Sequence, residues 1–330
     1  MKKLSLFGFL VSISSFISSS AIAANFSAIY GFGDSLSGTG NINQIVFQAT
    51  GGTQTFPPSP PYFQGRFSNG PAWIELLAQE LNIPLVNFSF GGATSGDKNA
   101  FDTTLPELSL SGLQQQVNNF LLNNPVADPN ALYTIWIGGN DYLPTNSMTF
   151  TPFDTPEQTL SNIETAINSL IGFGAENIMV FNLPNLGNTP LNNGSLDGFC
   201  PNNNQFDADC LNELTMAHNN GLASLLSSFS ANVNIIQIDL NTLFNNTIEN
   251  PSPIFTNVTD PCFNTNTSEV CNNPNQFLFW DNSHPTAAGH QLIADTAFQS
   301  LGIPEPKTTV GLLTIGLIAT IKKNNKINKG

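Results

Sequence analysis

Five short apolar runs stand out along the middle of the chain: residues 26–31 (FSAIYG), 85–90 (LVNFSF), 132–137 (LYTIWI), 177–182 (NIMVFN) and 233–240 (VNIIQIDL). Their apolar residues run nearly continuously rather than alternating, which predicts strands covered on both faces. Between them the spacing changes to threes and fours. Over 71–81 it aligns Trp73, Leu76, Leu77 and Leu81 on one helical face, and 113–122, 156–173, 212–229 and 286–298 follow the same period. Strands alternating with helices predict one α/β domain, a parallel sheet with helices on both sides. No repeat at solenoid periods is present.

Three segments carry neither period. Residues 42–65 contain GG, PP and PSPP and are expected to form a long loop. Residues 184–210 and 241–283 are rich in Asn, Thr, Pro and Gly and each holds two cysteines. All three follow strands, so they are expected to gather at the carboxyl edge of the sheet, where open α/β folds bind ligands.

The ends of the chain have a different character. Residues 1–23 place Lys2 and Lys3 before an apolar run that exits through Ala21-Ile22-Ala23, the order of a signal peptide cut after Ala23 by signal peptidase. Residues 310–321 are almost wholly apolar and precede Lys322, Lys323, Lys326 and Lys329. As a helix that stretch reaches only roughly 18 Å, short of the ~30 Å hydrocarbon core of a bilayer. Basic residues after it suit an end kept on the cytoplasmic side. Expected boundaries are therefore 1–23 for the leader, 24–303 for the domain and 304–330 for a sorting or membrane segment with transient membrane contact.

Composition sharpens this picture. The chain has 330 residues, 40% of them hydrophobic, enough for a substantial core. Between 24 and 303 the bases are Arg66 and Lys98 alone, set against 22 acids, a net charge of −20. A nucleic-acid backbone requires a basic surface, so that class of partner is excluded. The same charge repels anionic lipid surfaces and favours neutral substrates. Four cysteines fit an oxidising compartment. Of three possible connectivities, Cys200–Cys210 and Cys262–Cys271 each close a short loop and are preferred. A zinc site is the competing reading; neither pair has CxxC spacing and no histidine lies nearby in sequence.

Candidate chemistry sits at strand ends. Gly33-Asp34-Ser35-Leu36-Ser37 follows the first strand, Gly91-Gly92-Ala93 the second and Gly138-Gly139-Asn140-Asp141 the third; Asp281-Asn282-Ser283-His284 directly precedes the last helix. Singly, each is compatible with an ordinary turn. Together they hold the parts of acyl transfer. Ser35 is a nucleophile that requires a base, His284 is a base titrating near neutrality, and Asp281 lies near enough to orient it. Backbone N–H groups of Ser35 and Gly92 with the Asn140 amide are the candidate oxyanion donors.

This set resembles the SGNH (GDSL) hydrolase family, whose Ser, Gly, Asn and His correspond to Ser35, Gly92, Asn140 and His284, with Asp281 in its DxxH block. Residues 65–73 (GRFSNGPAW), 87–93 (NFSFGGA) and 182–190 (NLPNLGNTP) resemble the plant-type and thermolabile-haemolysin-like GDSL lipases. The resemblance implies a flavodoxin-like three-layer α/β/α sandwich, five parallel strands ordered 2-1-3-4-5, carboxyl-ester hydrolysis through an acyl-serine intermediate, and no cofactor. The tail, Pro304-Glu305-Pro306 then apolar residues and lysines, resembles a PEP-CTERM sorting signal. That implies processing by an exosortase and a bacterial envelope or secreted location.

Several residues have competing readings. His218 and His290 are expected to be helical core or surface residues rather than catalytic ones. Arg66 is expected to make a structural fork of hydrogen bonds. Asp141 either orients the Asn140 amide or caps a turn. Phenylalanine is abundant, 26 against 4 Tyr and 3 Trp, and Phe56, Phe63, Phe101, Phe255 and Phe263 fall in loops. They form either an acyl pocket or lipid-facing rim, or ordinary loop packing. Two further functions stay open: a carbohydrate O-acetyl esterase, and a surface adhesion or matrix protein reusing the fold.

Overall fold

The computed structural model describes residues 26–303, apart from 103, 104, 106, 125, 144–150, 193–207, 230–232 and 252. The expected leader over 1–23, the tail from 304 and Cys200 lie outside the described residues.

In chain order the elements are β1 (Ile29–Gly33), α1 (Asn41–Ala49), α2 (Trp73–Leu81), β2 (Leu85–Asn87), α3 (Leu113–Asn123), β3 (Leu132–Trp136), α4 (Gly139–Tyr142), α5 (Glu157–Gly172) and β4 (Asn177–Phe181). There follow α6 (Ala208–Ser227), β5 (Asn234–Ile238), α7 (Leu240–Glu249), β6 (Asn257–Pro261), β7 (Phe263–Asn264), β8 (Glu269–Val270), β9 (Phe277–Phe279) and α8 (Ala287–Ser300). Strands one to five form a single parallel sheet in the order β2-β1-β3-β4-β5, as the family resemblance implies.

Alternation along the strands divides the core into two layers. Leu132 and Trp136 of β3, with Met179 and Phe181 of β4, face a cluster that includes Trp73 and Leu77 of α2 and Ile293 and Ala297 of α8. Tyr133, Ile135, Ile178 and Val180 face the other way, onto Leu113 and Phe120 of α3, Ile163 and Ile167 of α5 and Leu222 of α6. Helix α5 shows why these segments are helical: its buried Ile163, Ala166, Ile167 and Leu170 repeat at three and four residues, one continuous apolar stripe. Every residue of β3 is buried, which accounts for its unbroken apolar sequence. The result is the expected three-layer α/β/α sandwich.

The loop expectations need correction. Residues 41–49 form α1, which enters through Gly40 at φ 108° and buries Ile42 and Val46 at i and i+4. Likewise 240–249 form α7, capped by Asp239, whose side chain accepts the N–H of Thr242, and anchored by buried Leu240 and Phe244. In both cases two apolar side chains one turn apart outweigh a local composition rich in Asn, Gln and Thr. The rest of 241–283 is also ordered. β6 pairs with β9, and β7 pairs antiparallel with β8 in a hairpin closed by the Cys262–Cys271 disulfide. No helix of the described residues is long and apolar enough to cross a membrane.

Candidate active site

Gly33 ends β1 beside Trp136 of β3, and the chain then turns through Asp34 and Ser35. Asp34 shapes that turn by accepting the N–H of Leu36 on its carboxylate, 2.9 Å away. Burial raises its pKa to about 7, although the Leu36 N–H and nearby His284 favour the anion.

His284 arrives from the far end of the sequence. Its Nε2 lies 2.8 Å from Ser35 Oγ, and its Nδ1 lies 2.8 Å from both Asp281 carboxylate oxygens. Asp281 also accepts the main-chain N–H groups of Ser283 and His284, each at 2.9 Å. This closed turn explains the three-residue spacing: the carboxylate holds both the backbone and the ring of the residue it faces. Burial opposes both charges of the pair, but their attraction outweighs it, lowering the Asp281 pKa and raising that of His284. Phe67 lies against the imidazole, ring centroids 5.0 Å apart.

Ser35, Gly92, Asn140 and His284 line one cavity of about 320 Å³. Gly92 adopts φ +75°, and a Cβ there would stand 2.5 Å from Asn99 Oδ1 and from Phe101 Cδ2. Glycine is therefore required twice over, by conformation and by space. Asn140 is the second residue of the short helix α4, and its side-chain N–H₂ donates one hydrogen bond to the Ala93 carbonyl at 3.0 Å. That bond uses one of the two N–H groups an amide offers. Among the described residues the Asp141 carboxylate is bonded neither to Asn140 nor to the N–H groups of its own turn. It accepts the Ser95 N–H at 3.0 Å, and burial raises its pKa to about 6 despite that bond.

The remaining candidates sort by position. His218 is buried on α6 with Nδ1 2.8 Å from the Tyr142 hydroxyl, and His290 is buried on α8, where Nδ1 accepts the Trp73 N–H. Neither lines the cavity. Arg66 forks onto the Glu75 carboxylate, which also accepts the Ala72 N–H at the start of α2. The loop phenylalanines divide: Phe101 lines the cavity, Phe56 packs on Phe67 and Phe101, Phe263 packs on Trp280, Phe255 joins the main core, and Phe63 lies under Arg66. Most of the apolar lining comes from elsewhere, including Leu143, Leu183, Leu186, Leu191, Phe244 and Phe279. Sequence reasoning did not single these out: Leu183 and Leu186 lie within the 182–190 run, Phe244 within α7 and Phe279 at the end of β9, and no local pattern marks an apolar side chain as facing a cavity. Tyr62 was missed too; its hydroxyl donates to Asp281 Oδ2 at 2.7 Å.

A hydroxyl bonded to an imidazole that is itself held by a buried carboxylate has the geometry for nucleophilic acyl transfer. Thermolabile hemolysin of Vibrio parahaemolyticus is 29% identical over 292 residues, covering 82% of this chain and 63% of the relative. Phosphatidylcholine-sterol acyltransferase of Aeromonas hydrophila is 34% identical over 166 residues, covering 50% of this chain and 47% of the relative. A GDSL esterase/lipase of Arabidopsis thaliana is 27% identical over 322 residues, covering 82% and 86%. The chain thus spans less than two thirds of the length of the two bacterial relatives. The family model described as GDSL-like Lipase/Acylhydrolase matches residues 29–297, from β1 into α8. That match takes in most of the chain, the cavity and its polar groups, and the chain belongs to the GDSL-like lipase/acylhydrolase family.

Proposed function

We propose that the protein is an exported serine hydrolase that cleaves neutral carboxylic esters with apolar acyl groups through an acyl-serine intermediate. The observation that carries this reading is the unbroken chain from Ser35 Oγ to His284 to Asp281, with 2.8 Å at each step, opening on a cavity shared with Gly92 and Asn140.

In this reading His284 takes the Ser35 proton as Oγ attacks the ester carbonyl. N–H groups of Ser35, Gly92 and Asn140 receive the negative oxygen; one such donor is worth roughly 10²–10³ in kcat. The intermediate collapses, and His284 returns its proton to the departing alcohol. Water then repeats the sequence on the acyl-serine, releasing the acid and restoring the hydroxyl. Asp281 stays ionised throughout and stabilises the imidazolium.

Three features support an apolar acyl group over acetate. The apolar part of the cavity wall is mostly leucine and phenylalanine, the volume suits a chain of several carbons, and one relative bears the name of a phosphatidylcholine-sterol acyltransferase. Export is supported by the leader-like start of the sequence and by a disulfide in a hairpin beside the site. The PEP-CTERM-like tail supports a bacterial envelope or secreted location, with exosortase as its partner.

Treating the purified protein with a fluorophosphonate probe tests the chemistry. Labelling of Ser35, lost in Ser35→Ala together with hydrolysis of a graded series of acyl esters, is the expected result. Folded protein that takes no label and cleaves no ester of any chain length refutes it. Acetyl-xylan cleaved in preference to longer acyl esters transfers the reading to a carbohydrate O-acetyl esterase.

A further inference from the structure

The Asp281 carboxylate receives hydrogen bonds from four groups. Three belong to its own turn: the main-chain N–H groups of Ser283 and His284 and the His284 ring. These move with Asp281 and fix it only relative to itself. The fourth is the Tyr62 hydroxyl, 219 positions away in sequence, on Oδ2 at 2.7 Å.

We propose that Tyr62 is a positioning residue for the reaction, its phenol locking the rotation of the Asp281 carboxylate and thereby the tilt and basicity of His284. The proposal rests on the acyl-transfer reading of Ser35, His284 and Asp281.

The phenol is itself held firmly. Its ring meets Phe67, Phe263 and Trp280 edge to face, with centroids 6.2, 5.6 and 6.3 Å away. Its backbone is pinned on both sides: the Tyr62 N–H donates to the Pro58 carbonyl at 3.1 Å, and the Ser59 hydroxyl donates to the Tyr62 carbonyl at 2.7 Å. Phe263 and Trp280 are joined by a backbone hydrogen bond of 2.6 Å, which fastens the disulfide-closed hairpin to the residue preceding Asp281. The same loop supplies Phe67 to the imidazole face, and Ser68 donates to the Pro285 carbonyl at 2.8 Å. Loop 56–69 therefore grips the Asp281–His284 turn at its carboxylate, its ring and its exit. Burial and the adjacent carboxylate push the phenol's pKa above its ordinary value, so it remains a donor across the working pH range.

Removing that donor leaves a buried carboxylate oxygen short of a partner and makes the carboxylate more basic. It then holds the imidazolium proton more tightly. The ionisable groups facing His284 are Asp281, Asp34 and, from α8, His290; Tyr62 contacts only Asp281 among them.

The test compares the full chain with its Tyr62→Phe variant, which keeps the ring and deletes the hydroxyl. Expected are a kcat about tenfold lower, an unchanged KM for a small ester, and an acid limb of the kcat/KM–pH profile moved to higher pH. A role confined to packing leaves kcat and the limb in place, and that result overturns the proposal. Should Tyr62→Phe fail to fold, 3-fluorotyrosine at position 62 replaces it. As a stronger donor of nearly the same shape it moves the limb to lower pH, and an unmoved limb again overturns the proposal. Wild-type protein that neither labels at Ser35 nor cleaves esters removes the underlying reading instead, a result distinguishable from an active enzyme indifferent to Tyr62.

Discussion

Gln116 and Gly33 are joined by two hydrogen bonds across 83 positions of chain: the Gly33 N–H donates to Gln116 Oε1, and Gln116 Nε2 donates to the Gly33 carbonyl, both at 2.8 Å. Gly33 is the last residue of β1, two before Ser35, and Gln116 is buried on α3. A side-chain amide thus supports the backbone where the chain leaves the sheet, and the Gly33 carbonyl also accepts the Phe90 N–H at 3.1 Å. Substituting Gln116→Leu leaves the buried Gly33 N–H without its partner. Thermal denaturation is expected to show a loss of roughly 1–3 kcal/mol and a Tm lower by about 2–12 °C.

The pH profile follows from the charges around His284. Burial disfavours its cation, but the charge and hydrogen bonds of Asp281, with a contribution from Asp34, raise its pKa above the ordinary 6.5. On the proposed chemistry His284 is a general base that works only when unprotonated, so kcat/KM is expected to rise with pH through a midpoint above about 6.5. Asp34, titrating at about 7, adds negative charge beside the imidazole over the same range and moves the midpoint up further. In Asp281→Asn the attraction is gone, and the midpoint is expected to fall as kcat collapses. A stopped assay across pH 5–9 reads both.

Gly92→Ala is expected to cost roughly 10²–10³ in kcat/KM. The added methyl has no space beside Asn99 and Phe101, and the backbone at φ +75° disfavours any side chain. On the proposed chemistry, displacement of that peptide removes an oxyanion donor while leaving both core layers untouched. Circular dichroism close to wild type, together with the lost rate, separates this from unfolding.

Chain-length preference is expected to follow the apolar wall of the cavity. Leu186, buried beside Leu183, contributes to that wall. Enlarging it in Leu186→Phe removes room at the acyl end, so longer acyl esters lose kcat/KM by roughly fourfold for each methylene displaced. Short esters keep their rate. Equal losses at every length would place the acyl group elsewhere.

The sheet was readable from sequence because its strands are nearly continuous apolar runs; β3, wholly buried, is the clearest case. Its edges were less so. β2 ends at Asn87 rather than at residue 90, because Phe88 and Phe90 make single hydrogen bonds to Gly31 and Gly33 without continuing the ladder. Helices α1 and α7 escaped notice because each buries only two apolar side chains and sets them among Asn, Gln and Thr. The polar groups around the cavity were named from their turns, since Gly-rich strand exits and a DxxH spacing are local patterns. Tyr62 has no such pattern. Its hydroxyl meets Asp281 only because the 56–69 loop folds over the far end of the chain, and contacts of that kind carry no sequence period.

Ser35 and His284 stand 249 positions apart, and β9 and the Asp281 turn are among the last parts of the domain to be synthesised. On the proposed chemistry, a nascent polypeptide that already carries its nucleophile gains a base only 249 residues later. Acyl cleavage is thereby withheld from every product that stops short of His284.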